Sequence, residues 1–357
     1  MLTDETMINI DGSHGEGGGQ IIRTALALST LTGKPFRVEK IRHSRPKPGL
    51  KMQHLTCISA LKELCFAEVE GDFPGSVSFT YIPRKVVPRT IPVDIGTAGS
   101  ITLLLQSLLL PCMFAEDKVR LKIKGGTDVK WSMPIDYLLN IIIPNLSRYA
   151  DFKVNGLRRG FYPKGAGFLD LTIKPKYHIS DFAGVEDFMG FMRQQDKGYD
   201  LVKRQPFYKI KGISAASKEL RQAEVSERQA KGVKRKLADT GCAVKIFGEY
   251  ADTESVGTVV TLWPDLPEPA IGSDILGERK KRAESVGAEA AYKLLLYLNA
   301  DCGADNHLAD NLIPFLALCQ GKIRPDKITG HIMSNIYVCE NFLDVEFKIS
   351  EDEIISV

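Results

Sequence analysis

The sequence predicts an α+β fold in which a unit of order β-α-β-α-β-β occurs three times, with a small α/β domain inserted before the third unit. A glycine-rich start leads into an apolar helix at residues 17–33 and 96–106, and a less glycine-rich start does so near residues 310–318. Each helix is followed by a strand-like stretch, a second helix and closing strands of alternating polarity. Recurrence of one pattern indicates internal repeats, so we expect paired helices packed on small mixed sheets.

The predicted elements hold matching positions in the three units. The strand-like stretches after the first helices are 36–41, 119–123 and 322–328. The second helices are 50–64, 134–149 and 331–342. The closing strands include 76–81, 168–173 and 345–349. Three such units would surround a central space with equivalent helix N-termini.

We interpret residues 181–300 as an inserted domain, and residues 1–180 and 301–357 as one large domain built from the three units. The inserted segment is richer in charge and contains an amphipathic helical pattern at 218–236, followed by strands and a second helix. Its basic run Lys231–Lys236 is either a solvated helix face or a contact for RNA, and the sequence leaves both interpretations open.

Composition excludes several classes of protein. The seven cysteines are scattered and include no CxxC pair, which argues against a zinc site or a disulfide framework and favours a reducing, cytoplasmic location. The longest apolar run, Leu103–Phe114, is interrupted by polar residues and proline, so we expect neither a signal peptide nor a membrane span. A net charge of +3 permits a nucleic-acid partner without requiring one.

Five glycines surround Glu16 in residues 11–23, directly before an apolar helix. Glycines let backbone N–H groups approach a ligand, and a helix N-terminus adds a positive dipole end, so this segment predicts a phosphate site. Glu16 would repel a phosphate unless a divalent cation lay between them, which indicates a metal-bound nucleotide. Arg23 would add a second cationic contact. The alternative is a glycine-rich turn that binds nothing.

Two further segments are basic. Residues 37–51 contain seven Arg, Lys and His side chains, of which we prefer Arg42 and Arg45 as phosphate ligands because a guanidinium is a planar double donor. The alternative is an exposed loop with ordinary charges. The segment Arg158–Gly165 interleaves basic and aromatic residues, a composition that suits a nucleic-acid backbone and a stacked base but equally a hairpin turn.

Two histidines are candidates for phosphorus chemistry. His331 follows Thr329-Gly330 and should lie in the first turn of the last helix, where the positive helix end favours the neutral, nucleophilic imidazole. His307 precedes another predicted helix, so the same reasoning applies to it. Either residue can instead be a helix cap or part of the core.

Six motifs together resemble the RNA 3'-terminal phosphate cyclase family, over nearly the whole chain and most weakly in the insertion. In chain order they are GEGGGQIIR at 15–23, RPKPGL with QHL at 45–55, DIGTAGS at 94–100, GGT at 125–127, RRGFYPKG at 158–165 and LAD at 308–310. The resemblance implies three repeats like the C-terminal domain of translation initiation factor three, related to enolpyruvylshikimate phosphate synthase. It also implies an inserted domain with thioredoxin-like elements.

The activity that the resemblance implies is the ATP-dependent conversion of an RNA 3'-phosphate end to a 2',3'-cyclic phosphate. In the family, a histidine takes AMP from ATP and releases diphosphate; AMP then passes to the RNA 3'-phosphate and leaves when the 2'-hydroxyl closes the ring. One alternative is a cyclase-like, non-catalytic RNA-binding protein of ribosome assembly, which lacks the histidine. The other is an enolpyruvyl transferase, which has six repeats. We expect RNA as the partner, no membrane contact, and allow for a homodimer.

Site residues follow from the same resemblance, one position at a time. His331 matches the nucleophile, within a His-x-x-x-Asn pattern that ends at Asn335, and Glu16 matches the acid that binds Mg²⁺ or Mn²⁺. The positions that match the nucleotide pocket are Gln106, Pro134, His307, Asp310 and Asn311. Those that match the phosphate and RNA contacts are Arg23, Arg42, Arg45 and Gln53. Asn311 replaces a common Gln and Asp274 a frequent aromatic residue, which leaves the nucleotide preference open.

Overall fold

The computed structural model describes residues 7–15, 17–195 and 198–357, and the elements given below are those of these residues. The chain forms a mixed α+β fold whose strands are arranged in four-stranded mixed sheets. None of the helices in the described part is both long and apolar enough to span a membrane.

The first sheet has the strand order β1-β2-β4-β3, with β1 parallel to β2 and the other pairs antiparallel. Its strands are β1 (Ile8–Asp11), β2 (Phe36–Glu39), β3 (Glu68–Glu70) and β4 (Phe79–Ile82). Two helices connect them, α1 (Gly19–Thr32) and α2 (Met52–Cys65). In β2, Phe36 and Val38 are buried while Arg37 and Glu39 are exposed, which is the period-two alternation of a strand with one face on the core.

The second sheet repeats this connectivity in the order β5-β6-β8-β7, again with one parallel pair. Its strands are β5 (Thr90–Asp94), β6 (Val119–Gly125), β7 (Ala150–Arg158) and β8 (Gly167–Pro175). Its helices are α3 (Ile101–Met113), α4 (Ile135–Tyr137) and α5 (Ile143–Leu146), the last two joined by a π-helical turn over Leu138–Ile142. The predicted helix 134–149 is therefore present but interrupted, because its middle turn takes the wider π geometry.

The segment after the second sheet packs with the large domain. Its elements are α6 (Val185–Gln194) and β9 (Tyr199–Leu201). Phe188, Met192 and Tyr199 are buried in the same core cluster as the first two sheets. The predicted insertion starts at residue 181, whereas this packing extends the large core to about residue 201.

The inserted segment has its own sheet, of order β11-β10-β12-β13, and its own core. The strands are β10 (Lys209–Ser217), β11 (Ala243–Ala251), β12 (Thr258–Pro264) and β13 (Ser273–Leu276). The helices are α7 (Val225–Lys236) and α8 (Ala283–Asn299). They can pack closely because Gly232 and Gly287 carry no side chain at their contact, where a Cβ would clash with the backbone of the facing helix. The basic run Lys231–Lys236 lies on α7, which buries Gly232 and Val233 and exposes most of the charged residues.

The last sheet combines β9 with strands that follow the insertion, in the order β9-β14-β16-β15. The added strands are β14 (Gly321–Ile323), β15 (Phe347–Ser350) and β16 (Glu353–Ser356), and the helices are α9 (Asn306–Cys319) and α10 (Gly330–Phe342). β9 is parallel to β14, and the other pairs are antiparallel, as in the first two sheets. The insertion thus lies, along the chain, between β9 and the other strands of this sheet.

Helix α1 positions the candidate site because other helices cover it on several sides. It packs on α3 and α10, and α10 packs on α9. Every residue from Gln20 to Leu31 is buried, including the polar ones near the start of the helix. Buried polar groups need hydrogen-bond partners, and these helices supply them.

Candidate active site

Asn335 is the centre of a buried polar network where α1, α9 and α10 meet. Its Nδ2 donates to the backbone oxygen of Asp310 at 2.8 Å and to the Oδ1 of the same residue at 2.5 Å. Its Oδ1 accepts from the Thr24 hydroxyl at 2.6 Å and from the Gln20 Nε2 at 3.1 Å. All hydrogen-bonding positions of the amide are therefore used, which fixes the orientation of the Asp310 carboxylate.

A second chain of hydrogen bonds joins α1, α3 and α9. The Arg23 guanidinium donates to the Gln20 Oε1 at 2.5 Å and to the Gln106 Oε1 at 2.7 Å. Gln106 Nε2 donates to the Asn311 Oδ1 at 3.2 Å, and Asn311 Nδ2 donates to the His307 backbone oxygen at 2.7 Å. Burial lowers the pKa of Arg23. The structure thus brings together four of the residues that the sequence places at nucleotide or phosphate: Arg23, Gln106, His307 and Asn311.

His331 lies at the solvent end of the Asn335 network. It is the second residue of α10, whose N-cap residue Thr329 accepts a hydrogen bond from the Ile332 N–H at 3.2 Å. The His331 side chain is 47% exposed, and its Nδ1 lies 3.7 Å from the Asp310 Oδ2. An accessible imidazole therefore faces an oriented carboxylate beside a helix N-terminus, where a negatively charged group is stabilised.

The glycine-rich loop lies against the first turns of α10. A Cβ on Gly15 would be 3.1 Å from the Ser334 Oγ and 3.6 Å from the Gly330 oxygen. The His14 ring stacks on the Tyr337 ring with centroids 4.0 Å apart. Glu16, the predicted metal ligand, lies outside the described residues. Among the residues that are described, no cluster of three or more His, Cys, Asp or Glu side chains could hold a metal ion.

The other end of the glycine-rich loop meets basic residues. A Cβ on Gly18 would lie 3.6 Å from the Arg45 Nη2, and a Cβ on Gly19 would lie 2.3 Å from the His54 Nε2. His54 is buried, and burial together with the charges of Arg23 and Arg42 lowers its pKa to about 3. Its Nδ1 accepts from the Lys51 N–H at 3.0 Å, so the neutral ring carries its proton on Nε2, toward Gly19. Sequence reasoning did not select His54, although it follows Gln53 in a quoted motif.

Arg42 and Gln53 make backbone contacts. Arg42 Nη1 donates to the Lys47 oxygen at 2.8 Å and to the Gly49 oxygen at 3.3 Å, which holds the proline-containing turn. Gln53 Nε2 donates to the Ser100 oxygen at 3.0 Å and its Oε1 accepts from the Ser100 N–H at 2.8 Å. Gln53 therefore ties α2 to the start of α3.

Pro134 and His307 lie at the side of the site that faces the insertion. Pro134 is the N-cap residue of α4, and the ring of Tyr137, one turn later, contacts the His307 ring edge-on with centroids 5.7 Å apart. Asp274, on β13, has its Oδ1 4.0 Å from the His307 Nε2 and 3.4 Å from the Lys293 Nζ. Asp305 caps α9 by accepting from the His307 N–H at 2.8 Å.

Two cavities border these residues. The smaller, about 30 Å³, lies beneath the network and has room for one or two water molecules only. Its polar lining residues are Gln20, Thr24, Gln106, Asp310, Asn311 and Asn335. A more open groove of about 360 Å³ lies between the segment Lys130–Ser132 and the insertion and includes Asp274.

Fold and site together define a class of protein: a mixed α+β chain in which a histidine at a helix N-terminus, a glycine-rich loop and a buried arginine lie together, which are groups that suit an anionic ligand. The family model described as RNA 3'-terminal phosphate cyclase matches residues 14–349. The chain belongs to the RNA 3'-terminal phosphate cyclase family. The family predicted from the motifs is confirmed, and with it the prediction that the protein is an enzyme of this class.

Several curated relatives support the assignment. The RNA 3'-terminal phosphate cyclase of Pyrococcus furiosus is 42% identical over 344 residues, covering 96% of this chain and 95% of that protein. The one of Methanosarcina acetivorans is 41% identical over 357 residues, with 97% and 98% covered, and that of Archaeoglobus fulgidus is 40% identical over 352 residues, with 98% and 99% covered. Among solved structures, the enolpyruvyl transferase NikO from Streptomyces tendae is 8% identical, with 98% of this chain and 81% of that chain covered. Its TM-score is 0.24, which is too low to indicate a shared fold.

Proposed function

We propose that this protein converts an RNA 3'-phosphate end to a 2',3'-cyclic phosphate with ATP, through a covalent His331–AMP intermediate and an RNA-adenylate intermediate. One observation supports this most directly: His331 begins α10 beside the glycine-rich loop, and Asp310, held by Asn335, faces its Nδ1 at 3.7 Å. A carboxylate in that position orients the ring and stabilises positive charge on it, which leaves Nε2 as the attacking nitrogen.

The proposed reaction has three steps, and each forms one bond to phosphorus and breaks another. His331 Nε2 attacks the α-phosphorus of ATP, a P–N bond forms, and the bond to the bridging oxygen breaks with release of diphosphate. An oxygen of the RNA 3'-phosphate then attacks the phosphorus of the adduct, and the histidine leaves once its ring nitrogen is protonated. Finally, the RNA 2'-hydroxyl attacks the 3'-phosphorus, loses its proton, and expels AMP.

The remaining residues divide between the two substrates. We propose Gln106, Pro134, His307, Asp310 and Asn311 at the nucleotide, since Asn311 joins Gln106 to the backbone of His307. We propose Arg23, Arg42, Arg45 and Gln53 at the phosphates and the RNA end. Arg23 and Arg45 are the best supported of these because both border the glycine-rich loop. In the described contacts, Arg42 and Gln53 act through the backbone they hold.

For the metal, we propose that Glu16 holds Mg²⁺ or Mn²⁺. The support is indirect: its neighbour Gly15 contacts the start of α10, which carries His331. When bound, such an ion would neutralise phosphate charge during attack.

The fold proposal extends further than the site. We propose that the three sheets of the large domain, each with one parallel and two antiparallel pairs, are copies of one ancestral unit, as the sequence predicts. Their shared strand order supports this. A homodimer and a cytoplasmic location stay predictions.

The test is covalent labelling with α-³²P ATP and Mg²⁺ or Mn²⁺, followed by denaturing electrophoresis. We expect wild type to carry an acid-labile label that an RNA 3'-phosphate, but not a 3'-hydroxyl, discharges. His331→Ala should lose the label, while His178→Ala, whose ring bonds to the Ala115 oxygen outside the site, should keep it. Undiminished labelling of His331→Ala would reject this nucleophile. RNA binding by wild type without labelling would favour the non-catalytic alternative.

A further inference from the structure

Arg159 is a buried cation that the proposed chemistry does not use. It follows β7, and its side chain is 2% exposed. Its guanidinium contacts three carboxylates: Asp128 at 3.2 Å, Asp136 at 2.8 and 2.9 Å, and Glu249 at 2.7 and 3.0 Å. Planar, bidentate pairing of this kind fixes orientation as well as charge.

The three carboxylates belong to different parts of the molecule. Asp128 and Asp136 bracket the segment that contains Pro134, so Arg159 closes the base of that loop. Asp128 also accepts from the Ile135 N–H at 3.3 Å, which tightens the closure. Glu249 lies on β11 of the insertion. One guanidinium therefore joins the Pro134 loop to the inserted domain.

The segment around Arg159 is attached to the insertion at two further points. Phe161 is buried against Ala215 and Val259, and a Cβ on Gly257 would lie 2.2 Å from its ring. The Lys164 N–H donates to the Ser255 Oγ at 3.1 Å. The segment Arg159–Lys164 is thus a connector between the insertion and the loop, and the sequence-based interpretation of it as a nucleic-acid contact does not apply to Arg159.

We propose that Arg159 is a positioning residue through which Glu249 of the inserted domain holds residues 128–136 in place, so that this contact sets the affinity for ATP although neither side chain touches the nucleotide. The effect on ATP rests on the proposed role of Pro134. The mechanical coupling between the insertion and residues 128–136 does not depend on that role, because it follows from the contacts alone.

The sequence contains two tryptophans, and their positions allow a direct measurement. Trp131 lies in the loop and is 94% exposed, whereas Trp263 is 7% exposed in the insertion. In a Trp263→Phe background, time-resolved fluorescence anisotropy reports the local motion of Trp131 alone. We expect Glu249→Gln and Arg159→Lys each to increase the amplitude of the fast component, and the double variant to show less than the sum of the two effects.

The matched control is Glu284→Gln. It removes a bidentate Arg–Glu pair, with Arg228 at 2.8 and 3.0 Å, inside the insertion and away from the loop. We expect no change in Trp131 motion for this variant. Glu249 is the mildest site to change because its side chain is 44% exposed, so the variant should remain folded by circular dichroism.

The second readout is the rate of AMP labelling against ATP concentration. We expect Glu249→Gln to raise the half-saturating ATP concentration about fivefold while the rate at saturation and the RNA requirement stay unchanged. Unchanged anisotropy in both single variants would overturn the coupling, and a lower saturating rate with unchanged half-saturation would overturn the role in ATP affinity. If wild type shows no labelling at all, the proposed function fails, and the anisotropy still decides the coupling.

Discussion

Asn335→Asp tests the claim that the orientation of Asp310 depends on one amide. The substitution keeps the shape of the side chain but replaces the Nδ2 donor, which lies 2.5 Å from the Asp310 Oδ1 and 2.8 Å from its backbone oxygen, with an acceptor. The Oδ1 that accepts from Thr24 and Gln20 is retained. The change therefore affects one side of the network only.

The magnitude follows from the short distance. Two full charges this close repel by about 6 kcal/mol at an effective dielectric constant of about 20, equivalent to about four pKa units. The carboxylate pair in the folded variant should thus hold a proton up to about pH 8, whereas the unfolded carboxyls lose theirs near pH 4. Because the folded state binds the extra proton, stability relative to wild type should fall by about 1.4 kcal/mol per pH unit between these limits as the pH rises.

The assay is urea unfolding at pH 5 and pH 8, combined with AMP labelling at both. At pH 5 the variant should be about 2 to 3 kcal/mol less stable than wild type, since a buried hydrogen bond to the Asp310 backbone is lost and the first pH unit of the electrostatic deficit is already present. At pH 8 the deficit should grow by about 4 kcal/mol and labelling should be lost. The control is Asn341→Asp on the same helix, where the exposed amide donates to the Tyr337 oxygen. Equal stability of Asn335→Asp and wild type at pH 8 would refute the reasoning.

Two further predictions concern the basic side of the loop. Because burial holds the pKa of His54 near 3, below its unfolded value of about 6.5, the folded state resists protonation and wild-type stability should fall as the pH drops below 6.5, by about 1.4 kcal/mol per unit. His54→Gln should flatten this slope in urea titrations at pH 4 to 7, and an unchanged slope would contradict the assignment. Gly19→Ala should reduce AMP labelling at least tenfold, because a Cβ there would lie 2.3 Å from the His54 Nε2. The control is Gly190→Ala on α6, where nothing lies within 4 Å of the Cβ position. This variant should keep AMP labelling and raise the free energy of unfolding by about 0.5 to 1 kcal/mol. Similar labelling by the two variants would show that the loop tolerates the methyl group.

The sequence predicted the site best where local chemistry decides position. The position of His331 after Thr329-Gly330 predicted that it lies in the first turn of the last helix, and the structure has it there, with Thr329 as the N-cap residue. The spacing of residues along the sequence could not predict that side chains of α1, α3 and α9 lie next to one another. The contact between Arg23 and Gln106, for example, joins residues 83 positions apart. Only the family resemblance placed them together.

Short or buried elements were the least predictable. β9 has three residues, too few for a polarity pattern, so this strand of the last sheet was missed. Arg159 was grouped with its exposed neighbour Arg158 because composition does not distinguish a buried cation from a surface one. Only the paired carboxylates, which come from Asp128, Asp136 and Glu249, account for its burial.

The point of insertion explains how a second domain can act on the site without disturbing its helices. The chain leaves the large domain after β9 and returns just before α9, so α1, α3, α9 and α10 keep their packing. The return segment is pinned by Asp305, which caps α9 and also accepts from the Gly272 N–H at 2.6 Å in the insertion. Side chains from the insertion, such as Asp274 near His307, therefore reach the start of α9 from a fixed base. If His307 lies at the nucleotide, as proposed, variation in the insertion can change nucleotide preference in this way, while the network around Asn335 stays the same.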